Sequence, residues 1–173
     1  MTQAKPPMLR HAGALLVAFA LPASAQGWET FSHDLGYGAA VCPQDDPDTG
    51  AFFCFAVACL PEGGTPLIRV AFAGPETPPK STPLSIRVDG TMVSHLFLTR
   101  LSSEGMFDFG IPLDPARDAA LIAALKSGSR ATLIFGIGLA ATIQPISLRG
   151  SHAALDEVPL LCGSAPFPEP AGE

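Results

Sequence analysis

The chain has 173 residues, of which 47% are hydrophobic and 15% charged, and 16 Asp and Glu outnumber 10 Lys and Arg. So many apolar residues with so few charges exclude an intrinsically disordered chain. The excess of acidic residues argues against nucleic acid as a partner, because phosphate backbones attract basic proteins. The length suits one domain.

The first 25 residues predict a secretory signal peptide. Lys5 and Arg10 precede an apolar run over 12–21, and Ala23-Ser24-Ala25 has the small-residue pattern of a cleavage site. The run is about half as long as a membrane-spanning helix, and we expect no membrane span in the mature chain. Cleavage after Ala25 would remove two basic residues, change the net charge from −6 to −8 and leave a periplasmic or secreted protein.

Four cysteines lie beyond this leader, and an even number in an exported chain predicts two disulfides. Residues 52–60 (FFCFAVACL) predict a strand, along which Cys54 and Cys59 would lie about 16 Å apart, too far for a bond. The turn-rich stretch 43–50 (PQDDPDTG) lies between Cys42 and Cys54, which could therefore join neighbouring strands of a hairpin, so the favoured pairing is Cys42–Cys54 with Cys59–Cys162. Cys42–Cys59 with Cys54–Cys162 stays open. Zinc or redox chemistry is not indicated, because no C-x-x-C occurs.

Further strands are predicted within 28–41 and over 66–73, 84–88, 91–99, 106–113, 130–137 and 140–148. Asp89-Gly90 suits a type I′ hairpin turn, whereas the four prolines of 74–83 predict a loop. In the strand 91–99, alternation places Met92, Ser94, Leu96 and Leu98 on one face. It places Val93, His95 and Phe97 on the other.

Two helices are indicated. Asp114 suits the N-cap of a helix over about 114–127, with Pro115 in its first turn and Gly128 after its end. Ser151 is predicted to cap a second helix over about 151–162, in which Cys162 lies on the buried stripe. We expect Pro159 to break or kink this helix.

Short strands with two helices predict a mainly β fold, an antiparallel β-sandwich or barrel-like domain. The predicted organisation is a signal peptide over 1–25, a single β-rich domain over 26–163 and a flexible tail over 164–173.

Catalytic signatures are weak. His33, His95 and His152 remain after the leader, and any of them could pair with a Ser in a hydrolase, but no G-x-S-x-G elbow is present. Asp45, Asp46 and Asp48 lack the Gly and distal Glu of a calcium loop. The glycines of 136–141 resemble a dinucleotide fingerprint, but Pro145 would stop the helix that this fingerprint needs. We therefore expect no catalytic residue, metal or cofactor.

The chain resembles the invasion-associated locus B family of bacterial envelope proteins. The resemblance rests on the leader, the early Trp28, the spaced cysteines and the segment 146–155 (ISLRGSHAAL). It implies a β-sandwich-like domain in the periplasm and no catalytic residues.

These features predict an exported, disulfide-stabilised, non-enzymatic protein that binds another envelope or host component. The pattern indicates no particular oligomeric state. The alternative is a small periplasmic hydrolase using a Ser/His pair. A purely structural role is not separable from binding at this stage.

Overall fold

The first four strands form a meander. This computed structural model describes residues 27–33, 36–46, 51–74, 77–102, 107–138 and 141–168. β1 spans Glu29–His33, and β2 spans Gly36–Asp46. β3 spans Ala51–Cys59 and β4 Leu67–Ala73, and neighbouring strands pair antiparallel. The predicted signal peptide lies outside the described residues.

The remaining strands are β5 (Ser81–Val88), β6 (Thr91–Ser102), β7 (Phe107–Pro112), β8 (Arg130–Phe135) and β9 (Thr142–Ser147). Asp89 and Gly90 join β5 to β6 with φ angles of 47° and 88°. Both angles are positive, as a type I′ turn requires and as Asp and Gly tolerate.

All nine strands belong to one antiparallel sheet in the order β1-β2-β3-β4-β7-β6-β5-β8-β9. β3 and β8 are five positions apart, which in a flat sheet would separate them by about 24 Å. Yet the rings of Phe53 on β3 and Phe135 on β8 lie only 6.3 Å apart. The sheet therefore folds over on itself around a buried core, without closing into a barrel. The predicted mainly β fold with two helices is confirmed.

Aromatic rings fill the space between the two halves of the folded sheet. Phe135 also contacts Phe72 of β4 and Phe109 of β7, at 5.9 and 5.1 Å between ring centroids. Trp28 packs edge-on against Phe55 at 5.8 Å. The Phe135 contacts join strands that are distant in the sheet order, so they hold the two halves of the sheet together.

α1 spans Pro115–Ser127, as its capping residues predicted. The Asp114 side chain accepts hydrogen bonds from the backbone N–H groups of Ala116 and Arg117, and these bonds lower the pKa of Asp114. Gly128 follows the last turn and donates its N–H to the Ala124 carbonyl. Buried Leu121 and Leu125 face the core.

α2 spans Ser151–Cys162 and departs from two expectations. The helix continues through Pro159 to Cys162, so the expected break does not occur, because the proline removes only its own hydrogen bond to the Leu155 carbonyl. Ser151 is not the cap. Gly150 holds that position, and the buried Ser151 hydroxyl lies 2.6 Å from the Leu125 carbonyl and 2.7 Å from that of Leu148. Ser151 therefore ties α2 to α1.

The disulfides are Cys42–Cys54 and Cys59–Cys162, the pairing that strand geometry favoured. The first joins β2 to β3 at a β-bulge between Val41 and Gln44, with Cα atoms 4.1 Å apart. The second joins the end of β3 to the end of α2, with Cα atoms 5.7 Å apart. The second bond therefore attaches α2 covalently to the first half of the sheet.

A β-bulge in β6 changes which side chains face solvent. Ser94 pairs with Ile86 and Met92 with Arg87, so Val93 has no direct partner. Strict alternation placed Met92 with the buried Leu96 and Leu98. The extra residue instead turns Met92 outward beside Arg87, and its side chain is exposed.

Residues after α2 keep contact with the domain as far as Phe167. The Ser164 N–H donates to the Pro159 carbonyl at 2.9 Å, and the half-buried Phe167 ring packs against the core. Lys126 lies over this ring at 5.8 Å. The boundary between domain and tail at 163–164 remains a prediction.

Candidate functional site

The structure separates the three candidate histidines. His33 lies at the end of β1, and its side chain is outside the described residues. His152 is exposed on α2, with Nε2 3.8 Å from the Asp156 carboxylate. Lys126 also bonds to Asp156, and this hydrogen bond lowers the pKa of Asp156. Only His95 contacts a Ser among the described residues.

His95 and Ser85 face each other across β5 and β6. The His95 Nδ1 lies 2.8 Å from the Ser85 Oγ, and the Phe97 ring meets the imidazole edge-on at 5.5 Å. In the described part of the chain, no carboxylate bonds to this imidazole, and the pair is exposed on the open sheet surface. A Ser-His-carboxylate triad would need both a carboxylate and a cleft. The contact orients the imidazole on the sheet surface.

This pair belongs to a larger surface, which we call the outer face: the outward-pointing side chains of β6, β5, β8 and β9. Directly paired residues of antiparallel strands share a face. Two rows cross all four strands in register. The first row is His95, Ser85, Ile134 and Ile143. The second row is Met92, Arg87, Thr132 and Pro145.

The outer face carries exposed apolar side chains among polar ones. Phe97 lies beside the first row, opposite Pro83, and the Phe97 side chain is 57% exposed. Ile143 is 66% exposed, whereas Ile146 of the same strand is 2% exposed. A single exposed apolar side chain is ordinary, but neighbouring ones on one surface indicate an interaction site.

The outer face also lacks acidic residues. The chain contains 16 Asp and Glu, yet none falls within β5, β6, β8 or β9. Arg87 and Arg130 are exposed near the ends of β5 and β8. The nearest carboxylate at that end, Asp89, accepts hydrogen bonds from the backbone N–H groups of Ser129 and Arg130. This surface is therefore apolar and positive on an acidic protein.

A pocket of about 220 Å³ lies beside the other end of the outer face, on the core side of the sheet, because its lining residues Phe135 and Thr142 pair directly and Phe135 is buried. Phe72 and Phe135 line it together with Pro83, which pairs with Phe97 on the outer face. The remaining walls come from the proline-containing loop before β5 and from the β8–β9 connection. They include Pro78, Pro79, Ile137 and Thr142.

Within the described ranges, no group of three His, Cys, Asp or Glu side chains could hold a metal ion. Asp48 and the side chains of Asp45 and Asp46 lie outside those ranges. In the part of the chain that the structure describes, neither helix has the length and apolarity needed to cross a bilayer.

The sequence assigned His95 and Phe97 to one strand face but missed the surface they belong to. That surface depends on which strands become neighbours, and β5 pairs with β8 across 41 intervening residues. The absence of Asp and Glu from 81–88, 91–102, 130–135 and 142–147 was the available signal.

Comparisons with known proteins find a likeness among solved structures. No family model matches the chain, and no curated protein does. The chain is similar to the crystal structure of invasion associated protein B from Bartonella henselae, with 15% identity and a TM-score of 0.44, over 77% of this chain and 97% of that one. We therefore base function on the contacts within this chain.

Proposed function

We propose that this chain is an exported, disulfide-stabilised, non-enzymatic protein of the bacterial periplasm that binds a partner protein of the envelope through its outer face. The observation that carries the binding role is the set of exposed apolar side chains, Met92, Phe97 and Ile143, on a four-strand face without a carboxylate. The two disulfides support an oxidising compartment, and the predicted leader provides the export route.

The charge of the outer face favours one kind of occupant. Two copies packed face to face would cover Arg87 and Arg130 of both copies with no carboxylate on either face to pair with them. Anionic lipid is disfavoured by the net charge of the whole chain, which is −6 before any cleavage. A partner segment with apolar side chains and carboxylates complements both the isoleucines and the arginines.

Site-specific crosslinking in cells that export the full chain tests this function. The photoreactive residue p-benzoylphenylalanine replaces Phe97 or Ile143 on the outer face, or Leu160 on α2 as the control. Leu160 is 84% exposed and apolar but lies away from the outer face. We expect both outer-face positions to give the same adduct, with an acid-containing segment, and Leu160 to give none. Arg87→Glu should reduce the adduct at least tenfold.

Equal adducts from all three positions, or adducts only with a second copy or with lipid, would contradict the proposal. Mass spectrometry of the same material also tests export, because the mature chain should begin at Gln26. A cytosolic chain that retains residues 1–25 would overturn the periplasmic assignment.

The hydrolase alternative rests on the 2.8 Å contact between Ser85 and His95. Hydrolysis of p-nitrophenyl acetate by the wild-type chain, lost in both Ser85→Ala and His95→Gln, would favour it. We expect no difference between the wild type and these variants.

A further inference from the structure

The pocket beside the end of the outer face has a rigid aromatic floor. Phe135 is 2% exposed and contacts the rings of Phe53, Phe72 and Phe109. A floor held by three ring contacts cannot fill the pocket by moving one side chain, because packed interiors resist such shifts.

The proline wall of the pocket is also held in place. The Arg100 guanidinium bonds to the Pro78 carbonyl and lies over the Phe107 and Phe109 rings, at 4.9 and 5.6 Å. The backbone N–H of Arg100 donates to the Lys80 carbonyl at 2.8 Å, and the buried Thr82 hydroxyl donates to the Pro79 carbonyl at 2.9 Å. Such preorganisation lowers the entropic cost of binding.

We propose that this pocket receives one aromatic or branched aliphatic side chain of the partner segment and anchors that segment on the outer face. This inference rests on the proposed function. Ligand pockets for drug-sized molecules measure about 300–1,000 Å³, and 220 Å³ is smaller than this range. A single large apolar side chain suits the pocket, as anchor residues at protein interfaces do.

The strand spacing adds a constraint on the partner. Pro83 lines the pocket and Arg87 lies four residues further along β5, so the two positions are about 13 Å apart. The partner segment should therefore carry an apolar anchor and a carboxylate at this separation. The Arg87 end provides charge complementarity and the pocket end provides apolar contact.

The first experiment measures the binding of single side-chain probes to the pocket, without the partner segment. Methyl NMR spectra of the full mature chain are recorded with N-acetyl-phenylalaninamide, N-acetyl-leucinamide or, as the control, N-acetyl-glycinamide. We expect saturable shifts of the Ile137 and Thr142 methyl signals with the first two probes only. Thr142→Phe, which fills the pocket, should abolish the shift at Ile137, whereas Thr91→Phe at the far end of β6 should preserve it. Thr77→Phe fills the same pocket from its exposed loop if Thr142→Phe does not fold.

Shifts equal to those with the glycine probe, or shifts unchanged in the filled variants, would overturn the inference. The second experiment repeats crosslinking from Phe97 in the Thr142→Phe chain, where we expect at least a tenfold loss of adduct. An undiminished adduct would reject the anchor and leave the binding function standing. Probe shifts without any wild-type adduct from Phe97 would reject the binding function and the anchor together, and leave a site for a free apolar molecule.

Discussion

β3 and β6 belong to one sheet but differ in how much of each strand is buried. Every residue of β3 from Phe53 to Cys59 is buried, and α2 packs near it, attached through Cys162. On β6, buried Leu96 and Leu98 alternate with exposed His95 and Phe97. The first part is enclosed and crosslinked, while the second keeps one apolar face in solvent. Apolar surface that contributes little to folding is available for binding.

Opening the disulfides should give the largest effects. The Cys59–Cys162 bond closes 103 residues and Cys42–Cys54 closes 12. From loop-closure entropy, Cys59→Ser with Cys162→Ser should cost about 4–5 kcal/mol of unfolding free energy, and Cys42→Ser with Cys54→Ser about 3 kcal/mol. Urea unfolding of both double variants measures the difference. Equal losses would show that the enclosed part does not depend on the long crosslink.

Two isoleucines of β9 offer a comparison within one strand. Ile146→Ala should cost about 2–5 kcal/mol, because it leaves a cavity in the core. Ile143→Ala should cost less than about 1 kcal/mol, since its side chain is mostly in water. Thermal and urea unfolding measure both. A large loss from Ile143→Ala would mean that the outer face supports folding and would weaken its assignment to binding.

Ser151→Ala tests the link between the two helices. The buried hydroxyl lies within hydrogen-bond distance of the Leu125 and Leu148 carbonyls, and its removal should lower the free energy of unfolding by about 1–3 kcal/mol. Ser127→Ala is the matched control, because the Ser127 hydroxyl also bonds to a helix carbonyl, that of Ala123, but is exposed. Ser127→Ala should change the free energy of unfolding by close to zero. Similar midpoints for the two variants in urea would contradict the role of Ser151.

Local chemistry predicted most of the fold. The alternating strands, the Asp89-Gly90 turn and the capping of α1 each depend on a few neighbouring residues. The role of Ser151 did not follow from its neighbours, because its hydroxyl donates to the carbonyl of Leu125, which is 26 residues away. The same holds for Met92, which one bulged residue turned outward.

The candidate site was less accessible to such reasoning. The rows of the outer face need the order β6-β5-β8-β9, and the pocket needs the β4 and β8 aromatic rings to meet under a proline loop. Neither follows from periodicity. Only the absence of acidic residues was visible beforehand.

The long crosslink also has a mechanical consequence. A chain pulled from its two ends can lengthen only through residues outside the loop between Cys59 and Cys162 while that bond is intact. At about 3.4 Å per extended residue, about 350 Å of contour is withheld from the load. Force applied at the termini would strip β1 and the part of β2 before Cys42, and would leave the four strands of the outer face unstretched.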